Sequence, residues 1–228
     1  MLGVLVNVAT VIVGSIVGVL FKKGIPERVS AVIMSGVGLC VVYIGISGAV
    51  QGKNTLILVI SMALGSLIGG ILDIDRALNR LGDWVSDKFK KSGSKFSNVG
   101  EGFVSGTLLF CVGAMTVVGS LEAGITGNNT TLFTKALLDL IASMVLSVTM
   151  GIGVALAAVA VLILQGGIVL LAGFLQPLLT EVAITEMTCA GSVIIMGLGF
   201  NMLGFGKIKV ANLLPAIILA PALTFLIK

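Results

Sequence analysis

An all-α polytopic membrane protein with about eight transmembrane helices is the fold class this sequence predicts, on three observations. Hydrophobic residues make up 57% of the chain and charged residues only 11%, with a mean hydropathy of +1.19, whereas a soluble domain is about one quarter charged. Apolar runs of roughly twenty residues, enough to cross the hydrocarbon core of a bilayer, alternate with short polar connectors. Basic residues gather in the connectors after the first, third and seventh spans, in keeping with the positive-inside rule.

Taken in order, residues 1–21 form the first span. No charged segment precedes it and no small-residue cleavage site follows, so it reads as a membrane helix and not as a signal peptide. Gly3, Asn7, Thr10, Gly14 and Gly18 share one face, and the Gly14/Gly18 GxxxG pair invites close approach of another helix. The basic loop from Lys22 to Arg28 leads to a second span at about 30–50. Gln51 to Thr55 then turns the chain into a third, 56–72, whose Ser61, Gly65 and Gly69, continued by Asp73, form a small-residue packing stripe.

Residues 73–95 hold six basic and four acidic residues. Ile71, Ile74, Leu78, Leu81, Val85 and Phe89 fall on one helical face there, with Trp84 beside it, which predicts an amphipathic helix on the cytoplasmic surface. Span four covers about 103–123, with Gly106, Gly113, Thr116 and Ser120 on a small, polar face. After a Gly/Asn/Thr turn, span five covers 131–150, and Gly151 to Gly153 predicts a tight turn into span six, 154–175. Residues 176–186 form a polar connection and span seven covers 187–205. Span eight runs to the C-terminus, where Pro215 and Pro221 predict kinks or a local break.

With eight spans and the N-terminus outside, Lys22, Lys23, Arg28, the basic residues from Arg76 to Lys95, Lys207 and Lys209 all reach the cytoplasmic side. Lys53, Lys135 and Lys228 stay on or toward the outside, as do both termini. The chain then divides into helices one to three (1–72), the cytoplasmic amphipathic connector (73–101), helices four and five (102–150) and helices six to eight (151–228). Spans one to three start outside and spans six to eight start inside, so the two groups would be inverted three-helix repeats, an arrangement found in transporters. The sequence also carries a few weak self-matches, such as Cys111, Gly113 and Gly119 in span four against Cys189, Gly191 and Gly197 in span seven.

The chain has no histidine, which excludes Ser-His and Cys-His catalysis and removes the commonest metal ligand. Cys40, Cys111 and Cys189 lie in apolar spans without the spacing of a zinc site or redox pair. An intramembrane aspartyl protease needs two membrane aspartates, and only Asp139 lies well inside a span. No glycine-rich phosphate loop with a lysine is present. The expectation is therefore no enzyme, no cofactor and no metal centre. A net charge of +4 explained by topology predicts a lipid bilayer as the partner, with no nucleic acid.

Span five reads TLFTKALLDLIASMVLSVTM, and its Thr131, Lys135, Asp139, Ser143 and Ser147 draw one polar stripe along a helix. Charged groups inside hydrocarbon cost several kcal/mol unless paired, hydrated or able to snorkel, so this stripe should face protein or water. Asp139 is the strongest candidate for binding an ion or solute, with Lys135 as its i,i+4 partner. Faces bearing Asn7, Gln165 and Asn201 would converge on it, and Glu122 and Glu186 would lie in the same outer half. Three acids and one base suit a cation or zwitterion better than an anion. The structural alternative is that Lys135 snorkels, Asp139 pairs with it only for packing, and both glutamates are solvated surface carboxylates.

At residues 111–124, CVGAMTVVGSLEAG, and again at 212–216, NLLPA, the chain resembles the bacterial inner-membrane YqgA/YdfK family, a domain of unknown function. The resemblance runs over the full length. It implies a multi-pass protein of the bacterial cytoplasmic membrane and carries no substrate with it. The residues themselves point to a secondary transporter or channel for a small solute or ion. The alternative is a non-transporting structural or regulatory membrane protein acting through its basic amphipathic helix. The small-residue faces would pack either within one chain or between copies in a homo-oligomer.

Overall fold

The computed structural model describes residues 1–22, 26–77, 80, 99–112, 114–177 and 179–226. Among these, every regular element is helical: α1 (Leu2–Lys22), α2 (Glu27–Ala49), α3 (Thr55–Leu72), α4 (Val99–Cys111), α5 (Ala114–Ile125), α6 (Thr130–Met150), α7 (Gly153–Leu170), α8 (Ala172–Leu175), α9 (Glu181–Met202), a 3₁₀ turn (Val210–Leu213) and α10 (Pro215–Leu223). Six of them, α1, α2, α3, α6, α7 and α9, are long and apolar enough to cross a membrane. The chain is thus a polytopic helical membrane protein. Most of the amphipathic face expected between Ile71 and Phe89 lies outside the described residues.

Four predicted spans differ in detail. The sixth, expected over 154–175, ends at Leu170 and is followed by the separate short α8. The fourth is two helices, α4 and α5, bent by 60°. Across their break the Thr116 hydroxyl donates to the Phe110 carbonyl at 3.1 Å, satisfying an acceptor freed by the interruption. The eighth is shorter than a span: the 3₁₀ turn is followed by α10, about 14 Å of α-helix. Pro215 has no N–H to donate and so fits the first turn of a new helix better than the interior of an old one. The seventh begins earlier than residue 187, because the Thr180 hydroxyl caps α9 by accepting from Ala183 N at 3.2 Å. Residues 181–186, expected as a polar connection, are therefore helical.

The third span and the turn after the fifth form as expected. Asn54 Oδ1 caps α3 by accepting from Leu56 N and Ile57 N at 3.0 and 3.4 Å, and Asp73 ends that helix in the left-handed region at φ 47°. Gly151, at φ 74°, closes α6 before α7 starts.

The helices group into two compact units, each joining elements from both halves of the chain. In the first unit (1–34, 76–111 and 115–172), α1 lies along α6. Its Gly3 faces Leu132, Gly14 faces Leu140 and Ser143, and Gly18 faces Met144 and Ser147. Both partners advance together, so the two helices run parallel. Helix α7 also packs on α1 and runs antiparallel to it, with Gln165 beside Asn7. Gly102 and Gly106 of α4 meet Val154 and Ala157 of α7, a parallel pair.

By length and composition α4 and α5 together could form one broken span.

In the second unit (35–75, 112–114 and 173–228), Gly38, Gly45 and Gly48 of α2 meet Leu203, Met196 and Ser192 of α9 in antiparallel order. Gly65 and Gly69 of α3 meet Ala216 and Asn212, again antiparallel. The stripe read as close packing is indeed a helix contact, in which a β-carbon would collide with partner backbone.

Candidate functional site

The polar stripe of α6 is buried against protein. Lys135 and Asp139 are 6% and 5% exposed, while Ser143 and Ser147 are fully buried. At 1.5 Å per residue, Asp139 sits about 14 Å from the start of α6, close to half the thickness of a hydrocarbon core. Lys135 does not snorkel. Its ammonium folds back onto Asp139 Oδ2 at 2.6 Å, the i,i+4 geometry the spacing offers.

Two amides from neighbouring helices complete the group. Asn7 of α1 donates through Nδ2 to Asp139 Oδ2 at 3.0 Å and to Gln165 Oε1 of α7 at 3.3 Å. Both amide residues are fully buried. The Thr10 hydroxyl donates to the Asn7 backbone carbonyl at 2.8 Å and reaches Asn7 Oδ1 at 3.5 Å, which turns the Asn7 nitrogen toward the carboxylate. Gln165 then presents its oxygen to Asn7, and among the described residues neither its Nε2 nor Ser147 Oγ has a hydrogen-bond partner. A charge pair and an unused amide donor, all enclosed between three helices, form a polar centre larger than helix packing requires.

The broken helix supplies a further neighbour. Helix α4 packs on α6, and Cys111 is its last residue. Sequence reasoning placed Cys111 inside an apolar span and saw no break there. The signal it passed over was the interruption VGAMT, where a glycine precedes a threonine able to cap the break.

The other candidates are placed elsewhere. Glu122, half-buried at the end of α5, accepts from the Thr131 hydroxyl at 2.7 Å. Asn201 belongs to the second unit and clamps one loop, donating to Ile208 O at 2.7 Å and accepting from Ile208 N at 2.8 Å. Glu186, also in the second unit, is not a solvated carboxylate. It is 1% exposed, and its Oε1 accepts from Lys53 N and Asn54 N at 2.8 and 3.0 Å. Of the residues singled out from sequence, Asn7, Lys135, Asp139 and Gln165 form one hydrogen-bonded cluster, and Ser143 and Ser147 extend its face along α6.

Comparison with known proteins agrees with the helical membrane architecture. The chain is 35% identical to the "Uncharacterized membrane protein YdfK" of Bacillus subtilis (strain 168), over 100% of this chain and 97% of that one. It is 28% identical to the "Uncharacterized protein YqgA" of Escherichia coli (strain K12), over 98% and 96%. No solved structure matches it. A family model described as "Protein of unknown function (DUF554)" matches residues 2–225, and with that coverage the chain belongs to the DUF554 family of membrane proteins.

Proposed function

We propose that this chain is a secondary transporter or channel for a small solute or ion, with its binding centre at Asn7, Lys135, Asp139 and Gln165. The observation that carries the reading is the Lys135–Asp139 pair, held at 2.6 Å by α6 and enclosed by α1 and α7. An ion pair is expensive to bury and contributes little net stability there, so its retention at membrane depth favours a role in moving something. The broken helix beside it supports the same reading, because interrupted membrane helices commonly build transport sites.

The proposal includes a bacterial cytoplasmic membrane location, external termini and an inverted relation between spans one to three and six to eight. In support of that relation, each helix of the first group lies antiparallel to its counterpart. The pairs are α1 with α7, α2 with α9, and α3 with the 3₁₀ turn and α10.

The test is uptake or current in proteoliposomes across a panel of ions and metabolites, comparing wild type with Asp139→Asn. Movement of a panel member by wild type, abolished in the variant, is the expected result. Movement by neither would favour the non-transporting alternative.

A further inference from the structure

Resting on the reading of this cluster as a transport site, we infer that it takes a small uncharged solute by a carbonyl-type oxygen, received by Lys135 Nζ and Gln165 Nε2. Donors exceed acceptors there. A lysine ammonium brings three N–H groups and an amide nitrogen brings two, and neither nitrogen accepts. Among the described residues, Lys135 Nζ uses one of its three, on Asp139 Oδ2 at 2.6 Å, and Gln165 Nε2 uses none. The oxygens facing them are engaged: Asp139 Oδ2 takes Lys135 and Asn7, Gln165 Oε1 takes Asn7, and the Thr10 hydroxyl reaches Asn7 Oδ1. What is left over is N–H, so a ligand completes the group by bringing an acceptor oxygen.

Charge selects among acceptors. Lys135 and Asp139 carry opposite unit charges and are both buried, while Glu122 and Glu186 accept from other partners. The centre is therefore neutral as it stands, and an anion on Lys135 would leave an uncompensated charge in a poorly solvating environment. A zwitterion is neutral overall, but its ammonium would compete with Lys135 and Asn7 for Asp139 Oδ2. An uncharged carbonyl compound, an amide or a ketone, meets both conditions without displacing the pair.

There is room beside the free donor. Gln165 is fully buried, so its unused nitrogen is not satisfied by bulk solvent. Gly166, next to it in α7, is also buried, yet a β-carbon there would meet only the Met1 methyl, at 3.9 Å. Methionine is unbranched and has three rotatable bonds, so the atom nearest this space is one that can move aside.

The experiment is ligand-observed saturation-transfer NMR on the purified full-length protein in nanodiscs. Acetamide, urea and acetone serve as uncharged probes, and sodium acetate, glycine and methylammonium chloride as charged ones. The uncharged probes should bind and compete with one another, acetone included, because it accepts a hydrogen bond and donates none. Gln165→Glu keeps an oxygen for Asn7 and replaces the free amide nitrogen by a second oxygen, and should weaken acetamide binding at least tenfold. Gly166→Leu fills the space beside Gln165 without altering the hydrogen-bonded side chains, and should weaken it by a similar factor even where the first variant fails to fold. Acetamide and urea are also followed in proteoliposomes by reswelling after osmotic shrinkage, which should be faster with wild type than with either variant.

Absence of binding by all three uncharged probes would overturn the inference, as would preference for any charged probe, or acetamide binding unchanged in the folded variants. Binding as described, with reswelling no faster than in empty liposomes, would support the assignment and remove the transport reading. Asp139-dependent movement of an ion, with no uncharged probe bound, would remove the assignment and leave the transport reading intact.

Discussion

Removing the Asp139 carboxylate alone should destabilise the protein far more than removing it together with its lysine. At 2.6 Å and an effective dielectric of about 20, the pair attracts by about 6 kcal/mol. That gain is set against a desolvation cost of several kcal/mol for each ion, so the pair is close to neutral as a whole. In Asp139→Asn the lysine loses its counter-charge but not its burial, and a loss of about 3–5 kcal/mol is expected. Lys135→Met/Asp139→Leu removes both charges and keeps apolar volume, so it should unfold within about 1 kcal/mol of wild type or above it. Reversible unfolding in mixed micelles, with both singles and the double, gives the coupling energy as a cycle. An Asp139→Asn variant as stable as wild type would refute the burial argument. A double variant as unstable as the singles would show that the pair is required for folding, and would undercut its assignment as a centre kept for function.

The remaining predictions concern packing and caps. Gly14→Ala should cost about 1–3 kcal/mol by overpacking, because a β-carbon there meets Leu140 O and Ser143 Oγ. Gly36→Ala, which meets nothing within 4 Å, should be neutral or stabilising by up to about 1 kcal/mol; thermal midpoints of the two in one detergent make the comparison. Glu186→Ala leaves the Lys53 and Asn54 amides without their acceptor, at about 1–3 kcal/mol for each that water does not reach. Hydrogen exchange at residues 52–57 should quicken in that variant. Thr116→Val strands the Phe110 carbonyl and should cost about 1–3 kcal/mol, seen in the same unfolding assay.

What could be read in the sequence were features with a local cause. Apolar runs located the long spans, fourth-residue spacing located the Lys135–Asp139 stripe, and Gly14 with Gly18 announced a close neighbour. The identity of that neighbour is a long-range matter. No local pattern near Asn7 specifies that it meets Asp139, 132 positions away, or Gln165, 158 positions away. The break after Cys111 was missed because VGAMT is apolar on average, and hydropathy cannot distinguish a continuous helix from two short ones. The early start of α9 was missed because Glu181 and Glu186 made the segment read as a connector. A carboxylate that binds two backbone amides can be buried after all.

The polar centre and the glycine face of α1 are one device. Asn7, Gly14 and Gly18 project from the same side of that helix, toward α6. The two glycines let α1 approach until a β-carbon at either position would strike the α6 backbone, so lipid chains have no room between the helices at Ser143 and Ser147. Lys135 and Asp139 are thus covered by a neighbouring helix rather than by bulky side chains of their own, and Asn7 arrives within 3.0 Å of the carboxylate as a consequence of the same approach. A larger residue at position 14 would therefore act twice. It would loosen the α1–α6 contact and would draw the Asn7 amide away from Asp139, which ties the electrostatics of the centre to the tightness of a packing seam two turns along the helix.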